Sequence, residues 1–297
     1  MSILINQSTR VLVQGITGSQ GRFDTQYCVA YGTNIVAGVT PGRGGQEVAG
    51  IPVFNTVRNA VDETAANASV IYVPAAGIKD AVLEAVDAGI KVIVALTENV
   101  PRHDAAISVA AAHAAGAWLI GFNTNGVISP GESKLGGIGG DRAEKLYVPG
   151  RIGVCSRSGG MSAELSNALA AGGYGVSTCI SMGGDPITGN VMVEYAREFE
   201  ADPDTDGMLF YGEPGSENEQ GLAKALRDGE ITKPVVALIA GVFQENYPAG
   251  LSFGHVAAMI RSEDDSASAK QKLLKDSGAY VAYRLGEIPQ LLDSAFS

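Results

Sequence analysis

The chain has 297 residues, and at roughly 150 residues per domain that length fits two domains and excludes a single small module. It is 45% hydrophobic and 18% charged, a balance that can bury ordinary cores and excludes a disordered chain. Its 21 basic residues against 32 acidic ones leave a net charge of -11, which argues against coating nucleic acid or an anionic membrane, although a local basic patch can still hold a phosphate.

Residues 1–6 carry neither a basic start nor a long apolar core, so no secretory signal is expected. Apolar runs at 10–14, 35–39, 70–73, 92–96 and 118–121 predict strands. They alternate with helix-period segments such as 78–88, where Val82, Leu83 and Val86 recur, with Ile90 just beyond. The strands are continuous apolar runs rather than alternating ones, as expected where helices cover both faces of a parallel sheet. The first strand runs into Gly15-Ile16-Thr17-Gly18-Ser19-Gln20-Gly21 and then a helix with Phe23, Tyr27 and Tyr31 on one face. Glycines let a backbone approach a ligand, and a helix start offers unpaired N–H groups to an anion, so a phosphate or pyrophosphate site is favoured over an empty turn. After the second strand comes Val39-Thr40-Pro41-Gly42-Arg43-Gly44-Gly45. An NAD site would want an acid there. Arg43 suits a phosphorylated ribose, which NADP and coenzyme A both carry; the residues alone do not separate these two, nor either from a solvated turn.

The stretch 130–140 holds five glycines, and 141–149 is charged and ends at Pro149-Gly150. A linker is therefore expected over 131–150. A second series of strands is expected at 152–156, 177–181, 207–211, 234–239 and 280–283, closing with an amphipathic helix over 288–295. The expected fold is α/β, two doubly wound units at 1–130 and 151–297, with ligands outside the carboxyl ends of the strands.

Of the three histidines, His103 and His113 read as helix-surface residues. His255 differs, because it sits in Phe253-Gly254-His255 beyond a strand and an irregular stretch with Pro248 and Gly250. The residues leave a catalytic and a structural role equally open for it. Ser156-Arg157-Ser158-Gly159-Gly160 opens a helix after a strand, a second anion-binding helix start. Glu213, in Gly212-Glu213-Pro214-Gly215, lies just past a strand end, where a carboxylate can fix an imidazole tautomer. Asp185, in Gly183-Gly184-Asp185-Pro186, reads as a cap. Cys28, Cys155 and Cys179 are odd in number and far apart, which fits free thiols in a reducing compartment. The expected place is the cytoplasm, with an organellar matrix as the alternative. No cluster has metal spacing, and no GxxxxGK[ST] loop offers a site for ATP. The apolar run 234–243 is about half the length of a membrane span, so neither a membrane nor a nucleic acid is an expected partner.

Taken together, GITGSQG (15–21), VTPGRGG (39–45), IPVFNTV (51–57), SVIYVPA (69–75), SRSGG (156–160), GGDPI (183–187), TKPVVALIAG (232–241) and FGHVAAM (253–259) resemble the α subunit of succinyl-CoA synthetase (succinate–CoA ligase) nearly end to end. The resemblance implies an N-terminal Rossmann-like CoA-binding domain followed by a flavodoxin-like ligase domain. It implies that Thr17, Gly18, Ser19 and Gln20 hold CoA phosphates and that Arg43 stands where the family usually has lysine. Leu96, Thr97 and Glu98 would line the CoA site. It further implies that His255 is phosphorylated during turnover, that Glu213 contacts it, and that the helix start at Ser158, Gly159 and Gly160 cradles the phosphoryl group. ATP or GTP, with Mg, would bind a separate β subunit of ATP-grasp fold, in an αβ or (αβ)2 assembly.

The departures bear on the acid. SRSGGMSAE (156–164) stands where succinyl-CoA synthetases usually carry SRSGTLTYE, so Ala163 replaces a substrate-side tyrosine. That stretch, KLYVPG (145–150) and FGH (253–255) look more like ATP-citrate lyase and citryl-CoA synthetase. Succinate is the default acid, and citrate or malate the challenger, since the change makes room for a bulkier or more hydroxylated molecule. GFNTNG (121–126), GEPGS (212–216) and GHVAA (254–258) also depart from the usual pattern. They keep a non-catalytic CoA-binding scaffold in play, and the glycine loop alone keeps an NADP-dependent dehydrogenase.

Overall fold

A computed structural model describes residues 2–297 apart from Ser252 and Val256. The first half alternates β1 (Val11–Gln14), α1 (Ser19–Ala30), β2 (Ile35–Val39), β3 (Glu47–Val48), β4 (Ile51–Phe54), α2 (Val57–Thr64), β5 (Ala68–Ile71), α3 (Ile78–Asp87), β6 (Val92–Ala95), α4 (Arg102–Ala114) and β7 (Trp118–Gly121). Its sheet runs β3-β4-β2-β1-β5-β6-β7, parallel except for the β3–β4 edge. Leaving that edge aside, the first strand is central and the order reverses between β1 and β5, the Rossmann arrangement. The crevice at that reversal lies beside the glycine loop that follows β1.

The second half adds β8 (Val127–Ser129), β9 (Ser133–Leu135), α5 (Ala143–Leu146), β10 (Pro149–Ser156), α6 (Gly159–Ala171), β11 (Val176–Ser181), α7 (Met192–Ala201), β12 (Gly207–Gly212), α8 (Asn218–Arg227), β13 (Val235–Ile239), α9 (Ala267–Asp276), β14 (Tyr280–Ala282) and α10 (Ile288–Phe296). Its sheet runs β14-β13-β12-β10-β11-β8-β9. The five parallel strands follow the flavodoxin order, with the reversal between β10 and β12. The strands β10 to β13 are buried over most or all of their length, as both faces of such a sheet require. Among the described residues no helix is long and apolar enough to cross a membrane.

One expectation changes here. The stretch 131–150 is not a free linker, because β8 and β9 form an antiparallel edge on β11 and β10 already starts at Pro149. β9 is hard to see in the sequence since its Lys134 is fully buried, with Nζ donating to the carbonyls of Ile138 and Gly140. One buried cluster also runs through both halves, from Val11, Val70 and Ile120 to Ile180, Phe199 and Phe210. On α1 the aromatic residues lie toward the surface to different degrees, Phe23 52% exposed and Tyr27 half-buried, while Gly21, Asp24, Thr25 and Cys28 face in. The inward face must be small because the helix start lies against its own loop. A Cβ on Gly21 would sit 2.5 Å from the Gly15 carbonyl oxygen.

Candidate active site

The glycine loop is shaped for an anion. Gly15 has φ +77, a left-handed conformation that glycine adopts without strain. Gly18 caps α1 with no side-chain hydrogen bond to the helix start, and the first turn holds no acid. The opening N–H groups of α1 are thus free for a ligand, at the positive end of the helix dipole. Thr17, Gly18, Ser19 and Gln20 all reach the surface here, with Thr17 half-buried. Thr17 Oγ1 donates to Thr40 Oγ1 at 3.2 Å, which joins this loop to the turn carrying the exposed Arg43. Loop, helix start and the turn that carries Arg43 therefore lie together at the carboxyl end of the first sheet, a fit to a phosphorylated nucleotide such as CoA. Replacing Arg43 with Ala is expected to weaken CoA binding by about tenfold, as loss of one charge-assisted contact predicts. Calorimetric titration with CoA and with its analogue lacking the ribose phosphate checks this: the analogue should bind both proteins alike.

A second site forms at the reversal of the second sheet. Ser158 caps α6, its Oγ accepting from the Met161 N–H at 3.5 Å, and Ser156 Oγ holds the turn by accepting from the Ser158 N–H at 3.1 Å. Asn125 Nδ2 donates to the Gly159 carbonyl at 3.0 Å, and a Cβ on Gly159 would lie 2.9 Å from Asn125, so glycine is needed there. Around Gly160, in contrast, a Cβ would meet nothing within 4 Å.

His255 lies at the carboxyl end of the same sheet, between Glu213 beyond β12 and Gly184 beyond β11. Its Nδ1 is 2.8 Å from Glu213 Oε2 and 3.1 Å from Oε1, so the carboxylate that follows β12 meets the imidazole, and the two sequence candidates do come together. Both are largely shielded, with side-chain exposures of 27% for His255 and 12% for Glu213. Tyr211, Glu213, Phe243, Gln244, Phe253 and His255 line a cavity of about 270 Å³. The Glu213 hydrogen bond holds the imidazole above its ordinary range, and Asp185 adds to the rise; burial and the Arg157 charge pull the other way. With Nδ1–H donated to the carboxylate, Nε2 keeps its lone pair.

Gly184 supports the ring from below. A Cβ there would sit 2.5 Å from His255 Cδ2 and 2.7 Å from Nε2, so the imidazole rests directly on bare backbone. Gly184→Ala must push the ring aside while the rest of the fold keeps its packing. A loss of activity of about 10²-fold is expected, the scale of a misplaced reacting group, with circular dichroism and Tm close to the parent.

Several contributors went unnoticed in the sequence. Asp185 is no helix cap, because α7 begins only at Met192. It is buried, hydrogen-bonded by the Asn123 side chain and by the backbone of Asn99 and Val100, and burial pushes its carboxyl up. Asp185 thus ties the backbone at 99–100 of the first half to the histidine site, with the Glu98 charge close enough to add to the rise of its carboxyl. Thr97 Oγ1 donates to the Val73 carbonyl at 2.6 Å and Glu98 is exposed. The one signal for Asp185 was its place, directly after two glycines beyond β11. Arg157 is also buried, and its positive field reaches His255. Ala163 is not brought to the cavity around His255: it lies one turn into α6, packed on the core under the second sheet. The three thiols are free and buried. Burial pushes Cys28 up to about 11 and Cys179 up to about 12, so neither is a nucleophile near neutral pH. His103 and His113 are exposed on α4. No group of metal-binding side chains occurs among the described residues.

Comparisons with known proteins agree with this layout. Residues 6–99 match the CoA binding domain family and residues 155–280 match the CoA-ligase family. The alpha 2 subunit of the ADP-forming succinate–CoA ligase of Archaeoglobus fulgidus is 44% identical over 292 residues, 98% of this chain and 99% of its own. The alpha subunit of the malate–CoA ligase of Methylorubrum extorquens is 38% identical over 95% of this chain and 94% of its own. The ATP citrate lyase of Methanosaeta concilii, solved with (3S)-citryl-CoA, superposes with a TM-score of 0.91 at 25% identity over 99% of this chain. The chain spans half the length of that enzyme. The CoA binding match separates what the glycine loop left open between CoA and NADP.

Proposed function

This chain belongs to the family of succinate–CoA ligase alpha subunits, and on that premise we propose that His255 carries the phosphoryl group of an acid–thiol ligation. The observation that supports this most is the 2.8 Å contact of Nδ1 with Glu213, which leaves Nε2 as the nucleophile. A partner subunit, proposed to be of ATP-grasp fold, holds ATP or GTP with Mg, whose role is to neutralise charge on the nucleotide's phosphates.

Three transfers follow. The Nε2 lone pair attacks the terminal phosphorus as the bond to the departing nucleoside diphosphate breaks. Glu213 stabilises the positive charge that develops on the ring, and the N–H groups at the start of α6 receive the phosphoryl oxygens. A carboxylate oxygen of the acid next attacks phosphorus; the N–P bond breaks, its electron pair returns to Nε2, and an acyl phosphate results. The CoA sulfur then attacks the acyl carbon, inorganic phosphate leaves, and the thiol proton passes to phosphate or solvent. CoA lies against Thr17, Gly18, Ser19, Gln20 and Arg43, with Leu96, Thr97 and Glu98 along its path. The buried thiols suit a reducing, cytoplasmic setting.

Succinate is the acid proposed. Malate or citrate is the second reading, favoured by the open space at Gly160 and by the malate–CoA ligase relative. One experiment tests both levels. The chain, purified with its native partner in an αβ or (αβ)2 complex, receives Mg-ATP labelled on the terminal phosphate, and the label is mapped under alkaline conditions that spare phosphohistidine. Label on the His255 peptide is expected, discharged on adding CoA together with one of succinate, malate or citrate. A folded complex that binds CoA and takes no label would make the chain a scaffold.

A further inference from the structure

We propose that Lys270 and Glu219, a buried ion pair beneath the loop after β12, position Glu213 under His255. This rests on the role given to His255 above only for its kinetic readout. The side chains of both residues are fully buried. Lys270, on α9, spends its donors on three acceptors: the Glu213 carbonyl at 2.9 Å, the Gly215 carbonyl, and Glu219 Oε2 at 2.5 Å. Glu219, on α8, closes the arrangement from the other side, Oε1 accepting the Glu213 N–H at 3.3 Å. Both backbone groups of Glu213 are thus held by one charge pair. Glu219 also presses on Gly212, where a Cβ would lie 2.1 Å from Oε1. Gly215, φ +72, completes the clamp: its N–H donates to the Asp265 carbonyl at 2.9 Å, and a Cβ on it would sit 2.2 Å from the Ala257 carbonyl oxygen. The loop that bears Glu213 is thereby locked to the segment just after His255.

An ion pair removed this completely from water is a poor source of stability, since apolar side chains of similar shape often serve the fold as well or better. What it supplies here is direction. The ammonium can satisfy two adjacent carbonyls and a carboxylate at one point, which no apolar side chain can do. The carboxylate of Glu213 can then meet Nδ1 with both oxygens within 3.1 Å.

The test separates position from stability. Lys270→Met alone leaves the Glu219 carboxylate buried without its counter-charge and is expected to lower Tm. The double variant Lys270→Met/Glu219→Leu removes both charges, so Tm should recover most of the loss. In both variants the carbonyls of Glu213 and Gly215 lose the ammonium that holds them, and phosphorylation of His255 by Mg-ATP in the complex with its partner should run about tenfold or more slower. The titration of His255, followed by NMR of the labelled imidazole, should move to lower pH, toward that of Glu213→Gln. Glu213 faces the ring with Arg157 and Asp185, and among these the variants loosen Glu213 alone. A double variant with parental Tm and a parental His255 titration would overturn the proposal; so would a titration unmoved in the single variant despite a lowered Tm. The NMR readout needs no turnover. A parent complex that takes no label on His255 therefore counts against the phosphohistidine, while the titration still decides the role of Lys270.

Discussion

His255→Asn is expected to abolish labelling of the chain by ATP and to lower acyl-CoA formation in the assembled complex by at least about 10⁴-fold, about 5.5 kcal/mol at about 1.4 kcal/mol per decade. The size follows from the chemistry. Among the described residues no other imidazole or thiol can take its place: burial holds the thiols of Cys28, Cys155 and Cys179 protonated, and His103 and His113 lie on an exposed helix of the other half. Asparagine keeps polarity and approximate volume, so Tm and CoA affinity should change little. Radiolabel mapping and a coupled assay of acyl-CoA formation measure the two losses. Activity within tenfold of the parent would remove this histidine from the mechanism.

Glu213→Gln is expected to cost about 10²-fold in the rate of histidine phosphorylation and to move its pH dependence. Glutamine can still accept from Nδ1–H, so the ring keeps its orientation while the negative charge is lost. The sign is fixed by the direction of the shift. Glu213 holds the imidazole above its ordinary range, so in the parent the rate falls as pH drops through that raised value, where Nε2 takes a proton. Removing the carboxylate lowers the His255 pKa, and the acid limb moves to lower pH. The plateau falls too, because the ring charge that grows during phosphoryl transfer has lost its counter-charge. Rate–pH profiles of phosphorylation with both proteins decide this, and a lowered plateau with an unmoved limb would mean that Glu213 acts by shape alone.

Much of this arrangement could be read from the chain itself, for identifiable reasons. Strands such as 35–39 and 118–121 are continuous apolar runs bounded by glycine or polar turns, so tertiary context only confirmed their local preference. The residues alone marked Glu213 and His255 as separate candidates, each beyond a strand with a glycine beside it, and the family resemblance supplied their pairing. The edge strands β8 and β9 were hidden in a glycine-rich stretch, and a fully buried lysine in β9 reads locally as a surface residue. Asp185 looked like a cap because its partners at 99, 100 and 123 come from distant loops. The Lys270–Glu219 pair spans 51 positions and leaves no periodic trace. Polar groups that meet across a fold carry no local pattern, whereas apolar strands do.

The unbroken core beneath the two sheets has a mechanical consequence. Cut near residue 130, the N-terminal piece would carry β8 away from the sheet that pairs with it, and the remainder would bare Ile180 and Met182 to water. The halves are therefore expected to melt together in one calorimetric transition, although each has the topology of a free-standing fold. Side chains from both halves pack into one cluster, so the span between the loop proposed to grip the nucleotide end of CoA and the ring of His255 is set by that packing. For two reactants that must meet at atomic range, such a chassis acts as a fixed high effective molarity.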